Sequence, residues 1–356
     1  MTLLLSNDDV RQLLNVPDCI EALESAYTEL GKGEAAFRDR MDLVSPGVKD
    51  DTMYILKSMD GLIPNAGVSC VRITSDMHHF FEVNGQLRRK KLPAVPGERY
   101  TGLGVLLSTE TTAPLMFFTD GVTNPTRVAA TTALGIKYLA RKDAKTVALL
   151  GCGKQADKQV PAVAAVRDVD VIKCYSPTGQ NRTKFARETS ETYGVNVVDV
   201  NSADEAVEGA DIILCATNAR AHVFDPAWAK PGVHIGCITQ FEIPPEAVHA
   251  ADIAVAHTAT AEPIFTTTHG LEHPEQTGKN QSFAKDAAVD KLPTLADLLA
   301  GNAKGRENDD QVTMYLNTVG IGLQFTAVGA LLYRKAKEQG VGREIPTEWM
   351  TQSGMS

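Results

Sequence analysis

An α/β chain of two domains is expected from three features. The 356 residues are too many for one minimal domain and suit two of ordinary size. From Thr146 onward, short and fully apolar runs alternate with helical stretches, the pattern of a parallel sheet covered by helices on both faces. Ahead of that point the apolar runs are separated by Gly, Pro, Asn and Asp, as in antiparallel strands joined by turns. The boundaries that follow are residues 1–125 for an N-terminal α+β domain, 126–315 for a doubly wound parallel-sheet domain, and 316–356 for a C-terminal helix that returns to the first domain.

Between Pro17 and Leu30 the residues Ile20, Leu23, Ala26, Tyr27 and Leu30 recur at helical spacing, with Asp18 near the start and Gly31 and Gly33 past the end. An amphipathic helix is expected there. Strands are expected at Met53–Leu56, Gly67–Ile73, Gly104–Leu107 and Leu115–Phe118. Between two of them, His78 to Thr101 carries Arg88, Arg89, Lys90 and Lys91 beside Pro93 and Pro96 and reads as a solvated loop. Parallel strands are expected at 147–150, 169–175, 195–198, 212–216, 233–238 and 253–256. The stretch His269–Gln281 reads as loop, Leu292–Leu299 as a short amphipathic helix, Gly301–Gln311 as a polar connection and Thr318–Gln339 as the last long helix.

Composition excludes several classes. A formal charge of -9 with a pI near 5.4 repels a phosphate backbone, so no nucleic-acid partner is expected. The apolar stretch Val319–Leu332 is broken by three glycines and runs into Arg334 and Lys335, short of the ~20 residues that span a bilayer, so no membrane is expected. Met1–Asp9 lacks the basic region and long apolar stretch of a signal peptide, and a cytoplasmic location is expected. The six cysteines are scattered, mostly within apolar runs, and read as buried, reduced thiols. Metal chemistry is not expected: His78 and His79 are adjacent and point apart on a strand, and His269 and His273 lie in a loop without a matched ligand set.

The strongest local signal is Thr146 to Ala156, an apolar strand that runs into Gly151-Cys152-Gly153-Lys154-Gln155-Ala156 and then a helix. In this G-x-G-x-x-A pattern Gly151 permits the tight turn, Gly153 lets a pyrophosphate approach the backbone, and Ala156 allows helix and strand to pack closely. The helix N-terminus, with Lys154 and Gln155, faces the phosphates. This predicts a Rossmann-type domain that binds NAD(P), with Ala216, Thr217 and Thr239 after later strands completing the cradle. The second strand is followed by Ser176, Thr178 and Arg182, with no carboxylate between Cys174 and Arg182 to hold ribose hydroxyls. Either these three bind a 2'-phosphate, which favours NADP(H), or Arg182 is a solvated helix residue.

Several segments together resemble the ornithine cyclodeaminase/μ-crystallin family over nearly the whole chain. They are Thr119-Asp120-Gly121 with Arg127 ahead of a helix, the Gly151–Ala156 turn, Lys230-Pro231-Gly232-Val233-His234-Ile235, Gly305–Asp310 and Asn317-Thr318-Val319-Gly320. The resemblance implies a homodimer paired through an N-terminal domain that also binds substrate. It implies hydride transfer between NAD(P) and the α-carbon of an amino or imino acid. By the same resemblance Arg127 binds the substrate carboxylate, with Arg40 matching a second arginine for which Arg38 is the alternative.

Three departures from that pattern matter. The family's active-site lysine aligns with Arg72, a permanent cation that clamps a carboxylate but does not shuttle protons. Lys57 stands where many members carry a methionine, and either supplies the proton instead or is a surface lysine. The aspartate that assists ammonia loss in cyclodeaminases is missing from Gly236–Pro245, where Glu242 matches a different, non-catalytic glutamate, and the acidic pair of the last helix is Gln324-Phe325. Fewer carboxylates disfavour a substrate with a distal ammonium. The expected function is an NAD(P)-dependent reductase or dehydrogenase of a small 2-imino or 2-amino carboxylate. Lys57 and Arg72 are its expected catalytic residues, and Arg40, Arg72 and Arg127 bind the carboxylate, three cations that point to an acidic substrate. The alternatives are an ornithine- or lysine-type cyclodeaminase and a non-catalytic NADP-dependent ligand-binding protein.

Overall fold

The computed structural model describes residues 1–83, 86–239, 241–260, 262–268 and 288–354. Along the chain come β1 (Thr2–Leu5), α1 (Asn7–Leu13), α2 (Val16–Gly31), β2 (Ala36–Phe37), β3 (Met41–Pro46), β4 (Thr52–Ile63), β5 (Val68–Val83), β6 (Gln86–Leu92), β7 (Thr101–Ser108), β8 (Pro114–Thr119) and α3 (Asp120–Leu139). Then follow β9 (Thr146–Leu150), α4 (Lys154–Ala164), β10 (Val171–Tyr175), α5 (Gly179–Tyr193), β11 (Val197–Asp199), α6 (Ala203–Val207), β12 (Ile212–Cys215), β13 (His234–Cys237), α7 (Pro245–Ala250) and β14 (Ile253–Ala256). The last elements are β15 (Ile264–Thr267), α8 (Leu295–Leu299), β16 (Thr313–Leu316), α9 (Gly322–Gln339) and β17 (Arg343–Ile345).

One compact unit contains residues 1–127 and 320–356 with the described part of 263–278; the other contains 128–262 and the described part of 279–319. In the first unit α2 begins where Asn15 accepts a hydrogen bond from the Asp18 amide and Pro17 sits in the first turn, and it buries Ile20, Leu23, Ala26 and Tyr27. Both are strong helix-start signals. The sheet of this unit is mixed, not wholly antiparallel: its order is β15-β3-β4-β5-β7-β8-β1-β17, and β1 beside β8 and β15 beside β3 run parallel.

Of the solvated loop expected over His78–Thr101, the part up to Leu92 is instead a hairpin, while residues 93–100 are exposed loop. β5 is 16 residues long; its first half pairs with β7 and its second half with β6, Met77 opposite Leu92 and Phe80 opposite Arg89. Charged residues on an edge strand suit solvent as well as a loop would, which is why the charge run misled. The segment His269–Gln281, with His269 and His273, lies outside the described residues.

The second unit is a seven-stranded sheet in the order β11-β10-β9-β12-β13-β16-β14, all of its pairs parallel. Alternate residues of β9 feed two separate cores. Val147 and Leu149 pack with Ala156, Val160 and Phe185, while Ala148 and Leu150 pack with Ala206, Ile243 and Val248. Burial on both faces explains why the strand reads as a continuous apolar run. The chain leaves β9 in one direction to β10 and returns on the other side at β12, so the end of β9 lies at a topological switch point, where ligands of open α/β sheets bind. β16, only four residues long, escaped the sequence reading and lies between β13 and β14.

Candidate functional site

At the end of β9 the chain turns through Gly151, whose φ is +119°. A Cβ there would lie 2.2 Å from the Ala216 carbonyl oxygen, so only glycine lets the β9 and β12 ends approach. The Gly151 amide donates to Tyr175 O (2.8 Å) and the Ala216 amide to Leu150 O (2.7 Å), stitching the turn to both neighbouring strands. Gly153 is the N-cap of α4, and no side chain caps that helix. A Cβ on Gly153 would meet nothing within 4 Å. The space over Gly153 is therefore open, at the uncapped, positive end of the α4 dipole. Lys154 begins the helix, Gln155 follows half-buried, and Ala156 is fully buried in the core, where it packs helix on strand. Among the described residues, Gln155 Oε1, Thr239 Oγ1 and Thr318 Oγ1 are buried without a hydrogen-bond partner. All three lie beyond the C-terminal ends of the strands, where a polar ligand would meet them. The uncapped amides, the open space over Gly153 and these orphan oxygens fit a dinucleotide diphosphate.

Beyond β10, Arg182 donates to Ser176 O (3.3 Å) and Asn201 Oδ1 (2.9 Å), and its Nε lies 3.9 Å from Asp199. Thr178 is the N-cap of α5 with no side-chain capping bond. A carboxylate does reach this region from the end of β11: Asp199, which accepts from the Thr183 hydroxyl (2.6 Å) and lies beside Arg182. The sequence reading missed it because it looked only along one strand.

In the mixed-sheet unit, register builds a different kind of site. Lys57 pairs with Asp42 on one side and Thr74 on the other, Met59 pairs with Arg72, and Ile55 with Asp76. Alternation along each strand then places Asp42, Lys57, Arg72, Asp76 and His78 on one face. α9 packs on β4 and β5 and contributes Phe325, whose ring lies 4.8 Å from the Arg72 guanidinium and 5.2 Å from that of Arg127. Such cation–π contacts are worth roughly 0.5–2 kcal/mol each. Arg72 is buried and bonded to Asp120 through Nε (2.9 Å) and Nη2. Arg127, also buried, donates to Gln324 Oε1 (2.7 Å) and Asn124 Oδ1 (2.8 Å). Gln324 therefore gives Arg127 a neutral acceptor, and Phe325 gives both arginines a ring face. Arg40 forms a two-point pair with Asp42 (2.7 and 2.5 Å), whereas Arg38 is exposed and pairs with Asp60. Arg40, not Arg38, belongs to the face that holds Lys57.

Lys57 is mostly buried; its Nζ donates to Asp76 Oδ2 at 2.8 Å. Burial and the nearby Arg40 charge bring its pKa down to about 8 despite Asp76. With its side chain 13% exposed, Lys57 is not a surface lysine. Lys91 of β6 reaches the other Asp76 oxygen at 2.5 Å, and His78 Nε2 is 3.7 Å away. Burial works against ionisation of Asp76, but the His78 and Lys57 contacts outweigh it and hold the carboxyl well below its usual range. Burial lowers His78 to about 4, so it is neutral at pH 7. Arg127 is brought down to about 10 by burial and the Arg72 charge and stays cationic. The sequence reading missed Asp42 and Asp76 and quoted Asp120 without its pairing to Arg72; alternation on β5 carried the one usable signal, Arg72-x-x-x-Asp76-x-His78 on a single face. Among the described residues no group of three His, Cys, Asp or Glu side chains is placed to hold a metal.

A doubly wound sheet with a dinucleotide-type turn, joined in one chain to a mixed sheet carrying buried arginines and a lysine, defines the class of two-domain α/β proteins of the nicotinamide-enzyme type. Within it the chain belongs to the ornithine cyclodeaminase/mu-crystallin family, whose sequence pattern matches residues 1–340. A Δ1-pyrroline-2-carboxylate reductase of Bacillus cereus is 28% identical over 96% of this chain and 99% of that protein. An ornithine cyclodeaminase of Agrobacterium fabrum is 30% identical over 79% and 76% respectively. The solved structure of Thermococcus litoralis Δ1-pyrroline-2-carboxylate reductase in complex with NADH and L-proline superposes with a TM-score of 0.76 at 28% identity, covering 97% of this chain and 100% of that one.

Proposed function

We propose that the protein is an NAD(P)-dependent reductase or dehydrogenase acting on the C=N or CH–N bond of a small 2-imino or 2-amino carboxylate. One observation carries this reading: the chain combines a dinucleotide-type turn with a sheet face where a mostly buried lysine, bonded to Asp76, stands near buried arginines. The similarity to Δ1-pyrroline-2-carboxylate reductases over almost the full length supports it. When bound, the nicotinamide supplies or accepts the hydride at the substrate's α-carbon. The residues that would hold it are Gly151, Gly153, Lys154 and Gln155 at the diphosphate, with Ala156 as packing, Ser176, Thr178 and Arg182 at the adenosine side, and Ala216, Thr217 and Thr239 along the strand ends.

The chain's own residues then bind and protonate. Arg127 takes the substrate carboxylate, aided by Arg72 and Arg40. The Asp120 and Asp42 pairs occupy the Nε edge of those two guanidiniums and leave donors on Nη1. Because Arg72 and Arg40 already have aspartate partners, one substrate carboxylate satisfies the site, and oxaloacetate with ammonia tests whether an acidic substrate is taken instead. Lys57 gives its proton to the substrate nitrogen during reduction and removes it in the reverse direction. Its place on β4, diagonal to Arg72 across the sheet, lies ~7–8 Å from the position of the family lysine, within reach of its flexible stem.

We propose a homodimer through the other face of the mixed sheet. That face carries half-exposed Met41, Leu43, Val71, Leu103 and Ile264, exposed apolar side chains of the kind that an interface covers. No helix among the described residues is long and apolar enough to cross a membrane.

The function is tested at 340 nm with NADH and NADPH against Δ1-pyrroline-2-carboxylate, and against pyruvate, glyoxylate or oxaloacetate with ammonia or methylamine. Net oxidation supports the reductase. Ammonia release from ornithine or lysine without net cofactor consumption supports the cyclodeaminase, and dinucleotide binding without turnover on any of these supports a binding protein. Arg182 decides the cofactor preference. If NADP(H) is favoured, Arg182→Ala weakens NADPH and leaves NADH unchanged; equal effects on both return Arg182 to a structural role beside Asp199.

A further inference from the structure

Glu242 is fully buried and takes no part in the mechanism above, yet it is the most heavily hydrogen-bonded carboxylate of the strand-end region. Oε1 accepts from the Thr217 amide (2.6 Å) and the Thr217 hydroxyl (2.8 Å). Oε2 accepts from the amides of Ile238 (2.9 Å) and Thr239 (3.1 Å). The Glu242 carbonyl oxygen in turn accepts from the amides of Val223 and Phe224. One oxygen thus holds the segment after β12 and the other the segment after β13. The β12 segment is itself pressed on the glycine turn, through the Ala216 carbonyl against Gly151.

We propose that Glu242 is a positioning residue for the dinucleotide: its carboxylate clips the ends of β12 and β13 together, and so sets where Thr217 and Thr239 meet the bound cofactor. The inference rests on the nicotinamide reading. The chemistry of the four donors makes it specific, because all four point at one group and only an anion with four lone-pair sites satisfies them. A glutamine has the same shape, but its NH2 would face two donors and release one segment. Burial pushes the carboxyl up to about 7 against the pull of its donors, so at pH 8 it is the anion that its partners require.

The test is NADH and NADPH binding at pH 8, followed by fluorescence titration of wild type, Glu242→Gln, Thr217→Val and Thr217→Ser, with thermal unfolding of each. Glu242→Gln is expected to weaken the preferred dinucleotide at least tenfold. Thr217→Val, which removes one donor and keeps the carboxylate, is expected to weaken it several-fold, with Thr217→Ser restoring it. Should Glu242→Gln not fold, the Thr217 pair decides. Binding within twofold of wild type in Glu242→Gln, or in Thr217→Val where only that pair is soluble, overturns the positioning role alone. Failure of wild type to bind either dinucleotide overturns the nicotinamide reading and this inference with it.

Discussion

The two units build their sites by opposite means. In the parallel-sheet unit the candidate cradle is mostly backbone: a left-handed glycine, an open N-cap glycine and the uncapped amides of α4. In the mixed-sheet unit the site is made of side chains from β3, β4, β5, α3 and α9, held by ion pairs and register. A backbone site depends on a few positions where a Cβ cannot fit and tolerates change elsewhere. A side-chain site depends on which residues share a sheet face, so a function can move to a neighbouring strand without altering the fold. The role proposed for Lys57, diagonal to Arg72 across the sheet, would be such a move.

The most severe way to break the contrast is at Gly151. A valine there places Cβ 2.2 Å from the Ala216 carbonyl oxygen and forces a β-branched residue to positive φ, a strain of about 1–3 kcal/mol before any clash is counted. Gly151→Val is expected to abolish dinucleotide binding by fluorescence titration and to lower Tm. Binding retained within tenfold would show that the cradle is not backbone-limited.

Lys57→Met should separate the units in the other direction. A positioned general acid contributes about 10²–10⁴-fold, so kcat for imine reduction should fall by at least about a hundredfold while the dinucleotide Kd stays within twofold of wild type. A matching loss of Kd would mean that the variant disturbs the fold and not the proton transfer.

Smaller effects sharpen the assignment of the arginines. Gln324→Glu places a carboxylate 2.7 Å from the Arg127 guanidinium, where it competes with the substrate carboxylate; KM should rise about tenfold with kcat changed little. The smallest effect distinguishes Arg38 from Arg40. Arg40→Ala is expected to raise KM several-fold, whereas Arg38→Ala, an exposed residue off the Lys57 face, should leave KM within twofold. Equal effects would remove Arg40 from the site.

The same contrast explains what could be read from sequence. The doubly wound half was legible because its strands are buried on both faces and read as apolar runs, and because the glycine turn is local: eleven consecutive residues from Thr146 to Ala156 contain it. β16 escaped because four residues preceded by a polar connection carry no periodicity. The mixed-sheet half was legible for α2 and the cores of four strands, while the β5–β6 hairpin was hidden by charges that an edge strand accommodates. Arg127, Arg72 and Lys57 came into view only through resemblance to a family. Asp42 and Asp76 did not, and Asp120 did so only within the Thr119-Asp120-Gly121 motif and not as a partner of Arg72, because such pairings are long-range: Lys57 and Asp76 are 19 residues apart, Arg72 and Asp120 48.

The claim that the proton-handling lysine now stands on β4 is tested most directly by the pH profile of kcat/KM for imine reduction, wild type against Lys57→Met. Lys57 titrates near 8 and must be protonated to act as the acid, so the sign is definite: the wild-type rate is level below about pH 8 and falls roughly tenfold per unit above it. The account predicts that Lys57→Met is slow and has lost this alkaline limb. A variant that keeps both the wild-type rate and the limb near pH 8 would contradict it and return the proton to another group.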